Sequence, residues 1–283
     1  MAPAPPTGTR RPNRLPELPE VETVRRGLAS AVVGARVERV TVTGKRSVRR
    51  QHPEAFAAAL TGARFEHVGR WGKHLLVGLD TRQVLVAHLR MSGQLLLAPS
   101  AEMAAPRHTH VHVMFSDGRE LRFVDPRTFG ELFVTSPDLP ELAGLGPDAV
   151  DVDLGAFAAL LRARRARLKP LLLDQRVVAG IGNIYSDEIL WAARLRWYRR
   201  ADELRPVEVR RLHGAITSVL TDAIALGGSS LGDGQYVDLW GQPGGYQERH
   251  NVYGRAECPA CGRPLERTVV AQRSHYWCRR CQH

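Results

Sequence analysis

The sequence predicts an α+β protein with a leading helix, a β-sandwich or barrel, a helical domain and a small metal-binding module. Three observations predict this order. Short runs rich in Val, Leu and Phe fill residues 36–135, helical patterns follow from about residue 150, and all four cysteines lie between residues 258 and 281. A chain of 283 residues is also long enough for two or three packed units.

Helical spacing of apolar residues begins close to the N-terminus. Residues 1–14 are rich in Pro, Arg, Thr and Gly, so a disordered tail over 1–15 is expected before a first folded domain at 16–136. Pro19 suits a first helical turn, and Gly34 is expected to end the helix. The apolar positions in between are Val21, Val24, Leu28, Ala31 and Val32.

Seven runs in the next hundred residues have strand length and composition: VERVTV, HLLVGL, VLVAHL, GQLLLA, HVHVMF, ELRFV and ELFVT. Asp117-Gly118 is a hairpin signal between two of them. A helical segment, AFAAAL, interrupts the series near residues 54–60. So many short strands at close spacing predict a sandwich or a barrel.

The second half of the chain carries helical patterns and most of the positive charge. FAALLRARR, KPLLLDQ, SDEILWAARL and PVEVRRLHGAITSVLTDAIALGG predict packed helices in a domain over 150–250. Residues 162–211 contain 13 basic and 6 acidic side chains. Residues 229–250 are rich in glycine and poor in aliphatic residues, which predicts a long mobile loop of the kind that usually serves function.

The net charge of +11 and the pI near 10.2 favour a nucleic acid or another polyanion as partner. A solvated basic surface without a partner is the alternative. No apolar run is long enough to cross a bilayer, and the first residues lack the apolar centre of a secretory signal. We therefore expect a cytoplasmic protein.

Lysine is rare in this arginine-rich chain. Only Lys45, Lys73 and Lys169 occur among 40 basic residues. A position that remains lysine in such a chain suggests a need for an amine able to lose its proton, which a guanidinium cannot do near neutral pH. Lys73 and Lys169 are therefore candidate functional residues.

The four cysteines have the spacing of a zinc site. Cys258-x2-Cys261 and Cys278-x2-Cys281 form two CxxC pairs, each of which supplies two thiolates to a tetrahedral ion. Two disulfides are the alternative, but they are disfavoured in a cytoplasmic chain. With four thiolates the zinc has no open position and is structural. The nearby arginines, expected to face phosphate, are Arg267, Arg273, Arg279 and Arg280.

Two further stretches have an unusual composition. Gly180-Ile181-Gly182-Asn183 precedes a helix expected to begin near Ser186, and a glycine turn at a helix N-terminus can bind phosphate. A turn between helices with no ligand would look the same. In PELPEVE, Glu17, Glu20 and Glu22 favour the start of a helix through its dipole, and this is the plain structural interpretation.

Taken together, these stretches resemble the formamidopyrimidine-DNA glycosylases, bacterial enzymes that repair oxidised purines. The similar motifs keep the family's order from residue 16 to residue 282. They are PELPEVETVRRGL, GKHLLVGL, HLRMSGQL, DPRTFGEL, KPLLLDQRVVAGIGNIYSDEIL, GQPGGY and VYGRAECPACGRPLERTVVAQRSHYWCRRCQ.

The resemblance implies an N-terminal β-sandwich, a helix-two-turn-helix domain and a four-cysteine zinc finger at 251–283, with double-stranded DNA between the lobes. It implies removal of 8-oxoguanine and formamidopyrimidines by a monomer in the bacterial nucleoid. The leading proline, here Pro16, would attack the sugar C1′ and form a Schiff base, and β,δ-elimination would then cut the abasic site. A terminal amine with a pKa of about 7.7–8.0 suits this chemistry because part of it is unprotonated at neutral pH.

The resemblance also implies roles for other catalytic residues. Glu17 matches the general acid, and Glu20 would support it. Lys73 matches the lysine of β-elimination. Arg273 matches the arginine of δ-elimination, which also binds phosphate.

A base inside a duplex must leave the stack before it can be attacked. By resemblance, Met91, Arg127 and Phe129 fill the space left by the flipped nucleotide, although core packing is an equal alternative for Met91 and Phe129. The loop at about 229–246 resembles the segment that covers the lesion. The positions that match contacts to the DNA backbone are His108, Arg164, Lys169 and Asn183.

Three stretches of the sequence depart from the family pattern. Arg164 stands where lysine is frequent, and Thr128 replaces an arginine of DPRRFG. Gly245-Tyr246 replaces the usual Tyr-Phe after GxPG. The last two changes concern residues beside the wedge and in the lesion-covering loop.

Pro16 is internal in this sequence, so its nitrogen is an amide and cannot form a Schiff base. We expect the functional chain to begin at Pro16. Translation from an alternative start codon at Leu15, followed by removal of the initiating Met, would achieve this, as would proteolytic trimming of the tail.

Other functions remain open at this stage. An endonuclease VIII-like enzyme would remove oxidised pyrimidines. A non-catalytic binder of damaged DNA would not need Glu17, Lys73 and Arg273 together. A zinc-ribbon transcription factor would need a base-reading helix, which the sequence does not indicate.

Overall fold

The computed structural model describes residues 16–231 and 236–283. The expected tail at 1–15 and the proposed start at Leu15 lie outside this part of the chain. Helix α1 spans Leu18–Ala31, three residues short of Gly34, and begins directly after Glu17. Its apolar positions Val21, Val24 and Leu28 are buried, as their spacing predicts.

Eight antiparallel strands follow α1 and form two four-stranded sheets, in the orders β1-β6-β7-β5 and β2-β3-β4-β8. Apolar residues from both sheets share one core, which makes the domain a sandwich rather than a barrel. The short helix α2, Pro53–Leu60, packs beside it. The strands are β1 Val37–Val42, β2 Phe65–Trp71, β3 His74–Leu79, β4 Val84–His88, β5 Gln94–Ala98, β6 Thr109–Phe115, β7 Glu120–Val124 and β8 Glu131–Thr135.

Of the eight sandwich strands, β2 is the one that no pattern in the sequence predicts. Its sequence, FEHVGRW, has only two aliphatic or aromatic residues before Trp71 and a central glycine. Pairing with the strongly apolar β3 supplies the hydrogen bonds that hold it in the sheet. Tertiary context therefore outweighs the weak local preference.

Four helices form the second domain: α3 Leu154–Arg162, α4 Leu168–Leu173, α5 Asn183–Ala192 and α6 Pro206–Ala225. Helix α5 begins at Asn183, three residues before the expected start near Ser186, so Gly182 is its N-cap. The helices surround a second core that includes Leu18 from the start of α1. That contact joins the two domains at the N-terminal end of α1.

The described part of the predicted mobile loop is attached to the sandwich. Tyr236 and Leu239 are buried in the core of the first domain, and Leu97 N donates to Leu239 O at 2.9 Å. After this loop, strands β9 Glu266–Val270 and β10 Arg273–Trp277 form a hairpin. Both residues of its turn, Ala271 and Gln272, have positive φ, as a two-residue hairpin of the favoured twist requires. Among the described helices, none is long and apolar enough to cross a membrane.

Candidate active site

Glycines allow three separate segments to meet at the start of α1. A Cβ at Gly180 would lie 2.5 Å from Leu18 Cδ1, and one at Gly72 would lie 2.9 Å from the Cβ of Ala179. Leu18 N also donates to Gly180 O at 3.0 Å. The loop before α5 therefore contacts both the PELPEVE segment and the β2–β3 turn that precedes Lys73. Only glycine permits backbones to approach this closely.

The N-terminus of α5 binds the carboxylate of Glu17. Ile184 N and Tyr185 N donate to Glu17 Oε1 and Oε2 at 2.8 and 3.3 Å. The interpretation of this glycine turn as a phosphate site is therefore corrected: two amides of the helix N-terminus bind the carboxyl group of Glu17 instead. Glu17 is only 2% exposed, and burial raises the pKa of its carboxyl although Lys73 and the amides oppose the shift. A raised pKa favours the protonated form of a carboxyl, which is the form that can act as an acid.

Glu20 lies one helical turn away and is equally buried. It accepts hydrogen bonds from Glu17 N at 2.8 Å, Tyr185 Oη at 2.5 Å and Ser229 N at 2.7 Å. Burial and the neighbouring Glu17 raise the pKa of Glu20 to about 7. Glu20 thus fixes the backbone of Glu17 to α5 and to the end of α6, which agrees with a supporting rather than a reacting group.

Lys73 lies in the same buried cluster. Its side chain is 8% exposed, and burial lowers the pKa of its amine, while Glu17 and Glu20 oppose the change and Arg273 adds to it. A lysine with a lowered pKa can accept a proton near neutral pH. Lys73 therefore lies within electrostatic reach of Glu17, Glu20 and Arg273. The first of these, Glu17, directly follows the buried Pro16.

Arg273 reaches this cluster from the zinc-finger hairpin. It is the first residue of β10, and within the described residues its guanidinium has no hydrogen bond or ion pair. Its positive charge helps to lower the pKa of both Lys73 and Lys169. A cation without an internal partner in such a position is available to a phosphate.

Lys169 has an environment that the sequence analysis did not predict. Its side chain is fully buried and its Nζ donates to Asp187 Oδ1. Burial lowers the pKa of the amine, although Asp187 opposes the shift. A direct contact from this lysine to the DNA backbone does not fit such burial, so the expected contact is corrected to an internal ion pair.

The residues expected to contact DNA differ in how exposed they are. Arg127 and Phe129 are exposed and adjacent, with the guanidinium carbon 5.1 Å from the ring centroid, whereas Met91 is only 8% exposed. His108 is exposed and has φ +67°. Of the remaining positions, Asn183 is half-buried at the start of α5, and Arg164 is half-buried and donates to Leu160 O. Phe129 fits a wedge better than Met91, because an aromatic ring 44% exposed has no core to fill.

The four cysteines fit one zinc ion. Their Sγ atoms all lie within 4.8 Å of one another, with 3.9 Å between Cys258 and Cys281 and 3.6 Å between Cys261 and Cys278. Zinc–sulfur bonds of about 2.3 Å in a tetrahedron place sulfurs about 3.8 Å apart. These separations exclude the two disulfides, and all four thiols are free. The ion would close the finger and occupy no position open to substrate.

Several buried partners were missed from the sequence alone: Tyr185, Asp187, Ser229 and His275. Tyr185 and Asp187 lie inside KPLLLDQRVVAGIGNIYSDEIL, a stretch that resembles the family, but their helical positions carry no local sign of a role. Ser229 was included only as the start of a loop. Their function depends on partners that are far away in sequence.

Comparison with known proteins identifies the family. Residues 15–132 match the formamidopyrimidine-DNA glycosylase N-terminal domain, residues 144–234 match the family's H2TH domain, and residues 257–283 match a zinc finger found in FPG and IleRS. The chain is 46% identical over 281 residues to the formamidopyrimidine-DNA glycosylase of Salinispora arenicola, covering 95% of this chain and 96% of that one. The chain belongs to the formamidopyrimidine-DNA glycosylase family.

Solved structures of this family have the same fold. The Thermus thermophilus protein has a TM-score of 0.83 at 42% identity, covering 94% of this chain and 98% of that one. The Lactococcus lactis enzyme in complex with abasic-site DNA has a TM-score of 0.86 at 34% identity, covering 94% and 99%. The predicted sandwich, helix-two-turn-helix domain and zinc finger are thereby confirmed.

Membership defines the activity. The protein is an enzyme of base-excision repair, a formamidopyrimidine-DNA glycosylase that removes oxidised purines, and abasic-site lyase activity is the known second activity of this family. One structural zinc ion belongs to its finger. The transcription-factor alternative is therefore wrong.

Proposed function

We propose that Pro16 is the nucleophile of this glycosylase and that Glu17, Lys73 and Arg273 carry out the steps that follow. The buried cluster of two carboxyls and one amine directly behind Pro16 is the observation that carries this proposal. The pKa directions of Glu17 and Lys73 both favour proton transfer near neutral pH. A cluster of this kind has no evident purpose in a protein that only binds DNA.

The roles divide by chemistry. The amine of Pro16 attacks C1′ while protonated Glu17 donates a proton to the departing sugar or base. Lys73 then assists loss of the C2′ proton and of the 3′-phosphate, and Arg273 stabilises the phosphate expelled in the δ-step. Glu20 orients Glu17 through its backbone amide and so acts as a positioning residue.

The partner is double-stranded DNA that contains an oxidised purine or an abasic site, as in the relatives solved with abasic-site DNA and with N7-benzyl-Fapy-dG DNA. We place it between the sandwich at 16–136 and the helical and zinc-finger parts at 150–250 and 251–283. Phe129 would enter the stack, and Arg127 would face the estranged base. Asn183, His108 and Arg164 would hold the backbone, and the loop at 229–246, part of which lies outside the described residues, would cover the lesion. The enzyme would act as a monomer on the bacterial nucleoid.

This proposal requires a free nitrogen on Pro16. An amide nitrogen has its lone pair delocalised into the carbonyl and cannot add to C1′ to give a cationic Schiff base. The family match begins at residue 15, one residue before Pro16, which supports a functional start there. We therefore propose that residues 1–15 are absent from the active enzyme.

The test compares two proteins of verified intact mass, one with residues 1–283 and one that begins at Pro16. Each is incubated with duplex containing 8-oxoguanine and with borohydride, which converts a Schiff base into a stable adduct. We expect adduct only from the protein that begins at Pro16. Strong trapping by the verified full-length chain would assign the nucleophile to another amine, with Lys73 the first alternative.

Excision assays on duplexes that carry 8-oxoguanine or thymine glycol test the lesion preference of the same two proteins. Preferential excision of thymine glycol over 8-oxoguanine would favour the endonuclease VIII-like activity. Tight binding to damaged duplex without excision by the protein that begins at Pro16 would contradict the roles proposed for Pro16 and Glu17. We expect excision of 8-oxoguanine.

A further inference from the structure

The zinc-finger hairpin is tied to the helical domain next to Arg273. Strand β10 carries Arg273, His275 and Trp277 on one face, because side chains alternate along a strand. His275 is fully buried, and its Nδ1 lies 2.6 Å from Asp187 Oδ1 on α5. Arg273 stands on the same face, about 7 Å along the strand. Whatever fixes the His275 ring therefore also fixes the direction of Arg273.

Asp187 is the centre of this attachment. Its Oδ1 accepts from both Lys169 Nζ and His275 Nδ1, and its Oδ2 accepts from Tyr276 N at 2.9 Å. Lys169, Asp187 and His275 are each 0% exposed. One carboxylate thus joins α4, α5 and β10 in a volume without solvent, where hydrogen bonds are strong and partners are difficult to replace.

The far side of the His275 ring is also informative. Its Nε2 is buried without a hydrogen-bond partner among the described residues, and the ring packs edge-on against Trp197 at 6.1 Å. Burial lowers the pKa of His275, so the ring is neutral and donates from Nδ1. An unpaired ring nitrogen has a cost in a buried site. An apolar side chain would pack in this position without leaving a nitrogen unpaired. The hydrogen bond from β10 to Asp187 is what requires a histidine.

The side chain of Arg273 has no hydrogen bond comparable to that of His275. It follows directly after the two-residue turn, and within the described chain its guanidinium bonds to nothing. The zinc ion holds the opposite end of the finger, because Cys278 follows β10 rather than preceding it. The bonds of His275 and Tyr276 to Asp187 are therefore the polar contacts nearest to Arg273 that attach the hairpin to the helical domain.

We propose that His275 is a positioning residue for the last elimination step, acting through Asp187 to hold Arg273 beside the reacting phosphate. The inference rests on the role proposed above for Arg273. In the β-step the Schiff base loses a C2′ proton and expels the 3′-phosphate. In the δ-step the conjugated product loses a C4′ proton and expels the 5′-phosphate, whose negative charge Arg273 stabilises. A displaced guanidinium slows the second step and leaves the first one nearly unchanged.

The test uses protein that begins at Pro16, in molar excess over a duplex with one preformed abasic site. The products are resolved as a 3′-unsaturated aldehyde after β-elimination alone and a 3′-phosphate after both steps. Their ratio within one reaction does not depend on the fraction of active protein. Loss of folding alone would therefore not alter it. Zinc content is measured for every variant.

Four variants separate the possible outcomes. His275→Leu removes the bond to Asp187, and we expect the ratio of δ- to β-product to fall about tenfold at unchanged zinc content. His275→Asn retains a donor near the Nδ1 position and should stay within about twofold of the unmodified enzyme. Ser274→Ala, on the opposite face of the same strand, removes a hydrogen bond from Arg267 and none to Asp187. It is the matched control and should leave the ratio unchanged. Arg273→Ala tests the role on which the inference rests.

The results distinguish the two proposals. If Arg273→Ala lowers the ratio but His275→Leu does not, the positioning role of His275 is wrong and the role of Arg273 stands. If Arg273→Ala leaves the ratio unchanged, the role proposed for Arg273 is wrong. Equal losses in His275→Leu and His275→Asn would also contradict the inference, since the hydrogen bond would then not be the cause.

Discussion

A methyl group on Gly182 would clash with the carboxyl of Glu17, so Gly182→Ala tests how that carboxyl is held. A Cβ on Gly182 would lie 2.3 Å from Glu17 Cδ and 2.6 Å from Oε1. The backbone of Gly182, with φ −130° and ψ −155°, is open to alanine, so the effect comes from this contact alone. The methyl group must therefore push the carboxylate away from the start of α5.

The displacement can be worked from the structure. Ordinary van der Waals contact begins at about 3.4 Å, so the carboxyl must retreat by about 1 Å from its 2.3 Å position. The bond from Ile184 N, now 2.8 Å, would lengthen beyond hydrogen-bonding range. A misplacement of about 1 Å in a catalytic group costs about 100-fold in rate. Loss of bonds to a carboxylate would lower stability by about 2 kcal/mol.

Single-turnover excision of 8-oxoguanine by protein that begins at Pro16 measures this effect. Gly214→Ala is the matched control, because that glycine lies in α6 with no atom within 4 Å of the new methyl group. Alanine is also favoured there by about 0.5–1 kcal/mol. We expect Gly182→Ala to lose about 100-fold in rate and Gly214→Ala to lose nothing. An active Gly182→Ala enzyme would refute the close packing of Glu17 on α5.

The acid, the zinc ion and the exposed aromatic ring each give a further prediction. We expect excision by the unmodified enzyme to fall as rising pH deprotonates Glu17, whose pKa is raised. Glu17→Gln should lower base excision by about 100-fold or more and remove this alkaline fall. A pH–rate profile checks both, and an unchanged alkaline limb in Glu17→Gln would contradict the role of Glu17 as the acid. Chelation of zinc should abolish binding to abasic-site duplex, measured by fluorescence anisotropy, because the finger that carries Arg273 loses its fold; full affinity after verified metal loss would be the contrary result. Phe129→Ala should weaken excision from duplex without changing the melting temperature by more than a few degrees, since the residue is 44% exposed. A larger fall in melting temperature would instead make Phe129 a core residue.

Local patterns in the sequence were sufficient for much of the fold. Helical spacing located α1, and alternating apolar runs located seven of the eight sandwich strands, because each pattern reports which face of one element is buried. The CxxC spacing located the zinc ligands for a similar reason, since each pair acts over four residues. Strand β2 was missed because its residues gain their preference from pairing with β3.

The candidate site was only partly predictable. Family resemblance named Glu17, Lys73 and Arg273, and the structure brings them together. The resemblance could not show which residues surround them. The glycine turn before α5 was interpreted as a phosphate site because a helix N-terminus favours any anion. The group it binds is the carboxyl of Glu17, a residue 167 positions away, and nothing within a short window of sequence specifies that contact.

By itself, then, the sequence determined the order of the domains, the zinc ligands and the family whose chemistry the protein shares. Tertiary structure alone decided that Lys169 pairs with Asp187 inside the protein instead of facing DNA, and that His275 joins the hairpin to the same carboxylate. The physical reason is range. Periodicity and spacing are properties of neighbouring residues, whereas burial of a charge depends on which distant partner satisfies it when the chain folds.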